Sequence, residues 1–85
     1  MNIQLRYFAR LRESFGLDGE AMEVPAGIVT VAGLLAHLAA RGGVWAEELA
    51  NGRVFRVALD QELVDFSAQL HEGAEVAIFP PVTGG

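Results

Sequence analysis

Among short stretches that alternate polar and apolar residues, one segment keeps a helical period. Val31, Leu34, Leu35 and Leu38 fall at i, i+3, i+4 and i+7, so four aliphatic side chains share one stripe. Thr30 stands where an N-cap is needed, with a hydroxyl that can accept from a free N–H of the first turn, and Gly42-Gly43 supplies the stop. Gly33 costs such a helix about 1 kcal/mol relative to alanine. The segment Val31–Arg41 therefore depends on burying its stripe against a sheet, and the rest of the chain must supply one.

The period-two segments do so. Asn2–Phe8 sets Ile3, Leu5 and Tyr7 on one face and Gln4, Arg6 and Phe8 on the other. Glu20–Val24, Val54–Leu59, Glu62–Val64 and Glu75–Phe79 read as further strands, with turn signals at Leu17-Asp18-Gly19, Asn51-Gly52 and Asp60-Gln61. Ala9–Phe15 forms a short helical turn, and Val44–Ala50 a second short helix presenting Trp45 and Leu49. About five strands in a mixed sheet, one principal helix and a right-handed crossover give an α+β roll of the ubiquitin-like, or β-grasp, kind. Residues 1–79 are expected to form this body and residues 80–85 a flexible tail.

Composition narrows the function. With 85 residues the chain makes one domain that buries some three-fifths of its surface, too little for a deep pocket of its own. At 52% hydrophobic and 20% charged residues, disorder is excluded as the default. No apolar run approaches the ~20 residues of a membrane span, and the N-terminus lacks a signal-peptide layout, so a cytoplasmic domain is expected. Eleven acids against six bases give a net charge of −5, which disfavours nucleic acid and suits a basic cleft on another protein. All six bases are arginine. Without lysine there is no P-loop, Schiff base or isopeptide acceptor, and without cysteine no disulfide, thiolate metal site or thiol nucleophile.

Catalytic constellations are missing too. His37 and His71 lie in no metal-ligand spacing, Ser14 and Ser67 in no nucleophile elbow, and pairs such as Glu47-Glu48 read as a solvated face. No metal site and no cofactor bound by this chain are expected. The unusual part is the end, Phe79-Pro80-Pro81-Val82-Thr83-Gly84-Gly85. Two prolines directly after a strand stop the ladder and stiffen the exit. Six residues beyond Phe79 reach roughly 20 Å, and a terminal Gly-Gly without side chains can thread a narrow channel.

This ending, together with Phe8-Ala9-Arg10-Leu11-Arg12-Glu13, the helix opened by Thr30-Val31, and Leu59-Asp60-Gln61-Glu62-Leu63-Val64, resembles the small-subunit family of molybdopterin synthase over essentially the whole chain. The resemblance implies a sulfur carrier of molybdenum-cofactor biosynthesis. Gly85 would be adenylated with ATP by a ubiquitin-activating-type adenylyltransferase and converted to a thiocarboxylate, with a sulfurtransferase as sulfur source. Pro80, Pro81, Val82, Thr83 and Gly84 would then enter the large subunit, where the sulfur passes to cyclic pyranopterin monophosphate. Catalytic groups are expected on that large subunit, in a heterotetramer, with this chain the sulfur-donating subunit. A chain without cysteine cannot carry sulfur as a persulfide, which agrees with the use of a terminus. A thiamin-pathway sulfur carrier, a ubiquitin-like protein modifier and a non-conjugating β-grasp binding module are the alternatives.

Strand parity adds a docking surface. If Val76 and Ile78 face the helix, Ala77 and Phe79 face away, as does Phe8 on the first strand. Phe8, Phe79 and Leu63, rimmed by Arg6 and Arg56, are expected to form a partner-binding patch.

Overall fold

The computed structural model describes residues 1–50 and 53–81. Strand β1, Asn2–Tyr7, keeps its sequence alternation: Ile3, Leu5 and Tyr7 are buried and Asn2, Gln4 and Arg6 exposed. It is followed by α1 (Ala9–Phe15), β2 (Gly19–Glu23), α2 (Val31–Ala39), α3 (Gly43–Glu48), β3 (Arg56–Leu59), β4 (Glu62–Val64) and β5 (Glu75–Phe79). The five strands form one mixed sheet in the order β2-β1-β5-β3-β4. The central pair β1–β5 is parallel, and the flanking pairs are antiparallel. The α+β roll expected from the sequence is the fold observed.

One cluster forms the core. Val31, Leu34, Leu35 and Leu38 of α2 join Ile3, Leu5, Tyr7, Val57, Val76 and Ile78 from the inner face of the sheet. The helix stripe thus finds the surface it needs, at roughly 1.5–3 kcal/mol for each fully buried large aliphatic side chain. Thr30 caps α2 as expected, its Oγ1 accepting from the Gly33 N–H at 3.1 Å.

Element ends differ from the sequence reading for local reasons. Helix α2 stops at Ala39 rather than Arg41, because the chain tightens there: the N–H groups of Arg41 and Gly42 bond the carbonyls of Leu38 and Ala39. Arg41 is then free to make a bidentate pair with Glu20, both contacts at 2.9 Å. Tyr7 donates to the same carboxylate at 2.8 Å, and Arg41 lies 4.4 Å from the Trp45 ring centroid. Trp45 in turn stacks on Phe15 at 3.8 Å. This cluster ties β2, α1 and α3 to the sheet, and none of it was foreseen from periodicity. Phe8 leaves β1 to become the N-cap of α1, although its N–H still bonds Ile78. Strand β3 begins at Arg56 rather than Val54, whose carbonyl accepts from Arg10 instead. The short second helix runs Gly43–Glu48, not Val44–Ala50. The turn expected at Asn51-Gly52 lies outside the described residues.

Two glycines make opposite demands. Gly19 is the first residue of β2 and not part of a turn; a Cβ there would stand 2.5 Å from the Leu5 carbonyl oxygen, so the backbones of β1 and β2 approach only without a side chain. At Gly33 a Cβ would meet Ile28 and Thr30 side-chain atoms at 3.4 and 3.5 Å, ordinary contact distances. Gly33→Ala should therefore raise stability by about 0.5–1 kcal/mol, the helix-propensity difference. Gly19→Ala should lower it by about 1–3 kcal/mol through overpacking. Urea denaturation midpoints at constant m-value check both signs.

Candidate functional site

Register assembles the outer face of the sheet, the side without a helix. Arg6 stands opposite Ala77, Ala77 opposite Ala58, and Ala58 opposite Leu63. One row thus crosses four strands. The next row pairs Phe79 with Arg56, and Phe8 continues β1 beside it. All five residues expected to form a patch, Phe8, Leu63, Phe79, Arg6 and Arg56, therefore share one surface.

Exposure varies along it. Leu63 is 68% exposed and Phe8 40% exposed, large values for such side chains, and Phe79 is half-buried. Ala77 faces outward by register yet is 8% exposed; it is too small to emerge between its neighbours and stays outside the core cluster. The row's floor is thus two alanines between Arg6 and Leu63. The Arg6 guanidinium lies 5.7 Å from the Phe8 ring centroid and 3.9 Å from the Glu75 carboxylate. Around the β4 edge, a groove of about 490 Å³ is lined by Phe55, Leu63, Val64 and Phe66. Phe66, 40% exposed and stacked on Phe55 at 5.4 Å, extends the apolar surface, and the sequence analysis missed it. It sits in a turn, where no period marks a face.

The tail leaves from this same place. Strand β5 ends at Phe79 between Phe8 and Arg56, and Pro80 and Pro81 follow half-buried. Val82, Thr83, Gly84 and Gly85 lie outside the described residues. Among the described residues no group of three or more His, Cys, Asp or Glu side chains is placed to hold a metal ion. No helix there is long and apolar enough to cross a membrane.

Residues read as isolated surface groups turn out to be paired. Glu48 accepts from Ser14 Oγ at 2.8 Å and from Arg10 Nε at 3.2 Å, joining α3 to α1, so it is not simply a solvated acid. His71 Nε2 meets Asp60 Oδ2 at 2.5 Å, and Asp60 Oδ1 accepts from the Glu75 N–H at 3.0 Å. The β3–β4 hairpin, whose turn residues Asp60 and Gln61 have φ of 51° and 70°, is thereby latched to the start of β5.

Comparison with known proteins decides the lineage. The ThiS family matches residues 5–85, nearly the entire chain. The chain belongs to the ThiS family. A molybdopterin synthase sulfur carrier subunit from Escherichia coli is 46% identical over 83 residues, covering 98% of this chain and 99% of that protein. Among solved structures, SAMP1 from Haloferax volcanii superposes with a TM-score of 0.81 at 24% identity, each chain covered in full. A Helicobacter pylori chain, from a structure described as a complex of subunits 1 and 2 of molybdopterin-converting factor, superposes with a TM-score of 0.68 at 24% identity, again in full. These two likenesses concern the fold. As a ThiS-family member the chain has the β-grasp body that its sheet order displays.

The latch beside the patch has a definite pH signature. The hydrogen bond that His71 donates to Asp60, helped by the Glu72 carbonyl, holds the His71 pKa above its ordinary value. The Glu75 N–H and then His71 hold the Asp60 pKa below the usual carboxylate range. The histidine's contribution is complete below about pH 6.5 and is lost as pH rises through its raised folded value. The aspartate's is present above about pH 4 and is lost as pH falls through its depressed folded value. The stability difference between wild type and His71→Ala should thus be largest at about pH 5–6 and shrink by about pH 9. Thermal melts of both chains across that range check it.

Proposed function

We propose that this chain is the sulfur carrier subunit of a molybdopterin synthase, with Gly85 as the group that bears the sulfur. The observation that carries this reading is the coincidence of docking face and tail root: β5 brings Phe79 out between Phe8 and Arg56, so a protein bound to the patch lies beside the emerging tail. The relative named molybdopterin synthase sulfur carrier subunit, 46% identical over almost the entire chain, supports the same reading.

The chemistry needs no acid or base from this chain. The Gly85 carboxylate attacks the α-phosphorus of ATP in an adenylyltransferase, pyrophosphate leaves, and the acyl carbon gains a good leaving group. The persulfide of a sulfurtransferase then attacks that carbon, a C–S bond forms and AMP departs, and a second thiol cleaves the resulting acyl disulfide, releasing the thiocarboxylate as that thiol is oxidised to a disulfide. The resulting thiocarboxylate is anionic and nucleophilic near neutral pH, as thiolates are. In the cytoplasm, Phe8, Leu63 and Phe79 seat the carrier on the large subunit, Arg6 and Arg56 orient it from the rim, and Pro80–Gly85 reach inward. The large subunit supplies preorganised donors while sulfur passes to cyclic pyranopterin monophosphate. Two large subunits with one carrier at each end make the assembly a heterotetramer.

Intact mass spectrometry tests this. After incubation with ATP, a ubiquitin-activating-type adenylyltransferase, a persulfide-loaded sulfurtransferase and a thiol reductant, the chain should gain about 16 Da, one oxygen exchanged for sulfur, at its C-terminus. A Gly85→Val chain should fold normally and gain nothing. An unchanged mass for wild type under conditions that load a known carrier would contradict the reading. Molybdopterin formation on adding a synthase large subunit separates this carrier from a thiamin-pathway one. An amide to a target lysine, in place of the thio acid, would indicate a modifier.

A further inference from the structure

The basic side chains of this chain other than histidine are all arginines, and two of them, Arg6 and Arg56, stand on the face from which the tail leaves. Arg56 pairs directly with Phe79, and Arg6 lies on the same outer face one row away. Arg10, the second residue of α1, donates to the Val54 carbonyl and pairs with Glu48, and Arg53 pairs with Glu47. Arg41 is engaged elsewhere, with Glu20. Six residues beyond Phe79 span roughly 20 Å, so the side chains at positions 6 and 56 lie within reach of position 85.

Charge at this place is useful for docking, but an amine would be a hazard. Near pH 8, roughly one lysine amine in 250 is neutral and nucleophilic, whereas a guanidinium stays protonated and does not attack acyl groups. Tethering within a short reach raises the effective concentration of such an amine to the millimolar range or above. The ε-nitrogen would attack the activated acyl carbon, form a C–N amide bond, lose a proton and expel the leaving group. The carrier would then be closed into a dead-end ring or linked to a second copy.

We propose that arginine in place of lysine around the tail root is a specificity device: it gives the docking face positive charge without an amine that an activated Gly85 could acylate. The rest of the described surface agrees. The Ser14 and Ser67 hydroxyls bond Glu48 and Asp65, the Tyr7 hydroxyl bonds Glu20, and Thr30 Oγ1 accepts from Gly33. The three carboxylates are held below their ordinary pKa range, Glu20 by Arg41, Glu48 by Ser14 and Asp65 by Ser67, and so are poor bases for activating a hydroxyl. The α-amino group of Met1 bonds the Val24 carbonyl, at the end of β1 remote from the tail root. The activated end therefore survives until a partner's nucleophile reaches it.

This inference rests on the proposed activation of Gly85, and its test keeps the two separate by installing the activated end chemically. The full chain is prepared with Gly85 as a thioester of a small thiol, alongside Arg56→Lys and Arg6→Lys chains whose folds are confirmed by circular dichroism. Each is held near pH 8, and its products are read by intact mass and denaturing electrophoresis. Wild type should give only the hydrolysed acid. The lysine chains should in addition give a product one water lighter than that acid, or a covalent dimer, at least roughly tenfold above any trace of either in wild type, as a tethered nucleophile predicts. Hydrolysis alone in both lysine chains would overturn the inference, as would wild type forming ring or dimer at their rate. Enzymatic thiocarboxylation plays no part in either outcome.

Discussion

The parallel ladder between β1 and β5 is the constraint on which the remainder depends. It joins the first and last strands of the chain at the centre of the sheet, from Gln4 opposite Glu75 to Tyr7 opposite Ile78. A parallel pair cannot close through a hairpin, so the chain between must travel out and back, and α2 fills that path. Burial follows from the same pairing. Leu5, Tyr7, Val76 and Ile78 lie side by side on the inner face and receive the α2 stripe. Direction follows as well: both strands end at the same edge, so the tail emerges beside Phe8.

Each surface of the sheet has its own task. The inner one holds the fold together and, among the described residues, carries no buried polar or charged residue. On the outer one, Phe8 and Leu63 are left exposed beside the half-buried Phe79, at a cost to solubility that a purely structural sheet would avoid. Because the two faces alternate along every strand, a one-residue slip of β5 would exchange the core face for the outer one. The Asp60–His71 latch and the flanking antiparallel strands hold the register that prevents this. Charge is distributed along it: Arg56 stands beside Phe79 at the tail root, while Asp60, Glu62, Glu72 and Glu75, the last paired with Arg6, lie toward the opposite end of the sheet.

What the sequence disclosed was whatever local period and turn chemistry encode. The α2 stripe, the Thr30 cap, β4, β5 and the outward parity of Phe8 and Phe79 were all legible in that way. Contacts that join distant segments were not. Nothing in the spacing of Tyr7, Glu20, Arg41 and Trp45 announces their cluster, because side chains so far apart in the chain meet only after the sheet is built. Ends of elements moved for the same reason, as when Arg10 took the Val54 carbonyl and shortened β3. Gly19 misled in a different manner: glycine serves turns and close backbone approaches alike, and only the Leu5 carbonyl tells which. Phe66 escaped because a turn residue has no face until its neighbours are known.

The central claim is that one surface both receives the partner and releases the tail. Backbone amide shifts of the isotope-labelled chain, followed while synthase large subunit is added, test it most directly. The account predicts that the largest changes fall on Arg6–Phe8, Arg56, Ala58, Leu63 and Ala77–Phe79, with α2 and α3 little affected. Changes concentrated on Ala32, Ala36 and Glu47, with the outer sheet face unmoved, would contradict it.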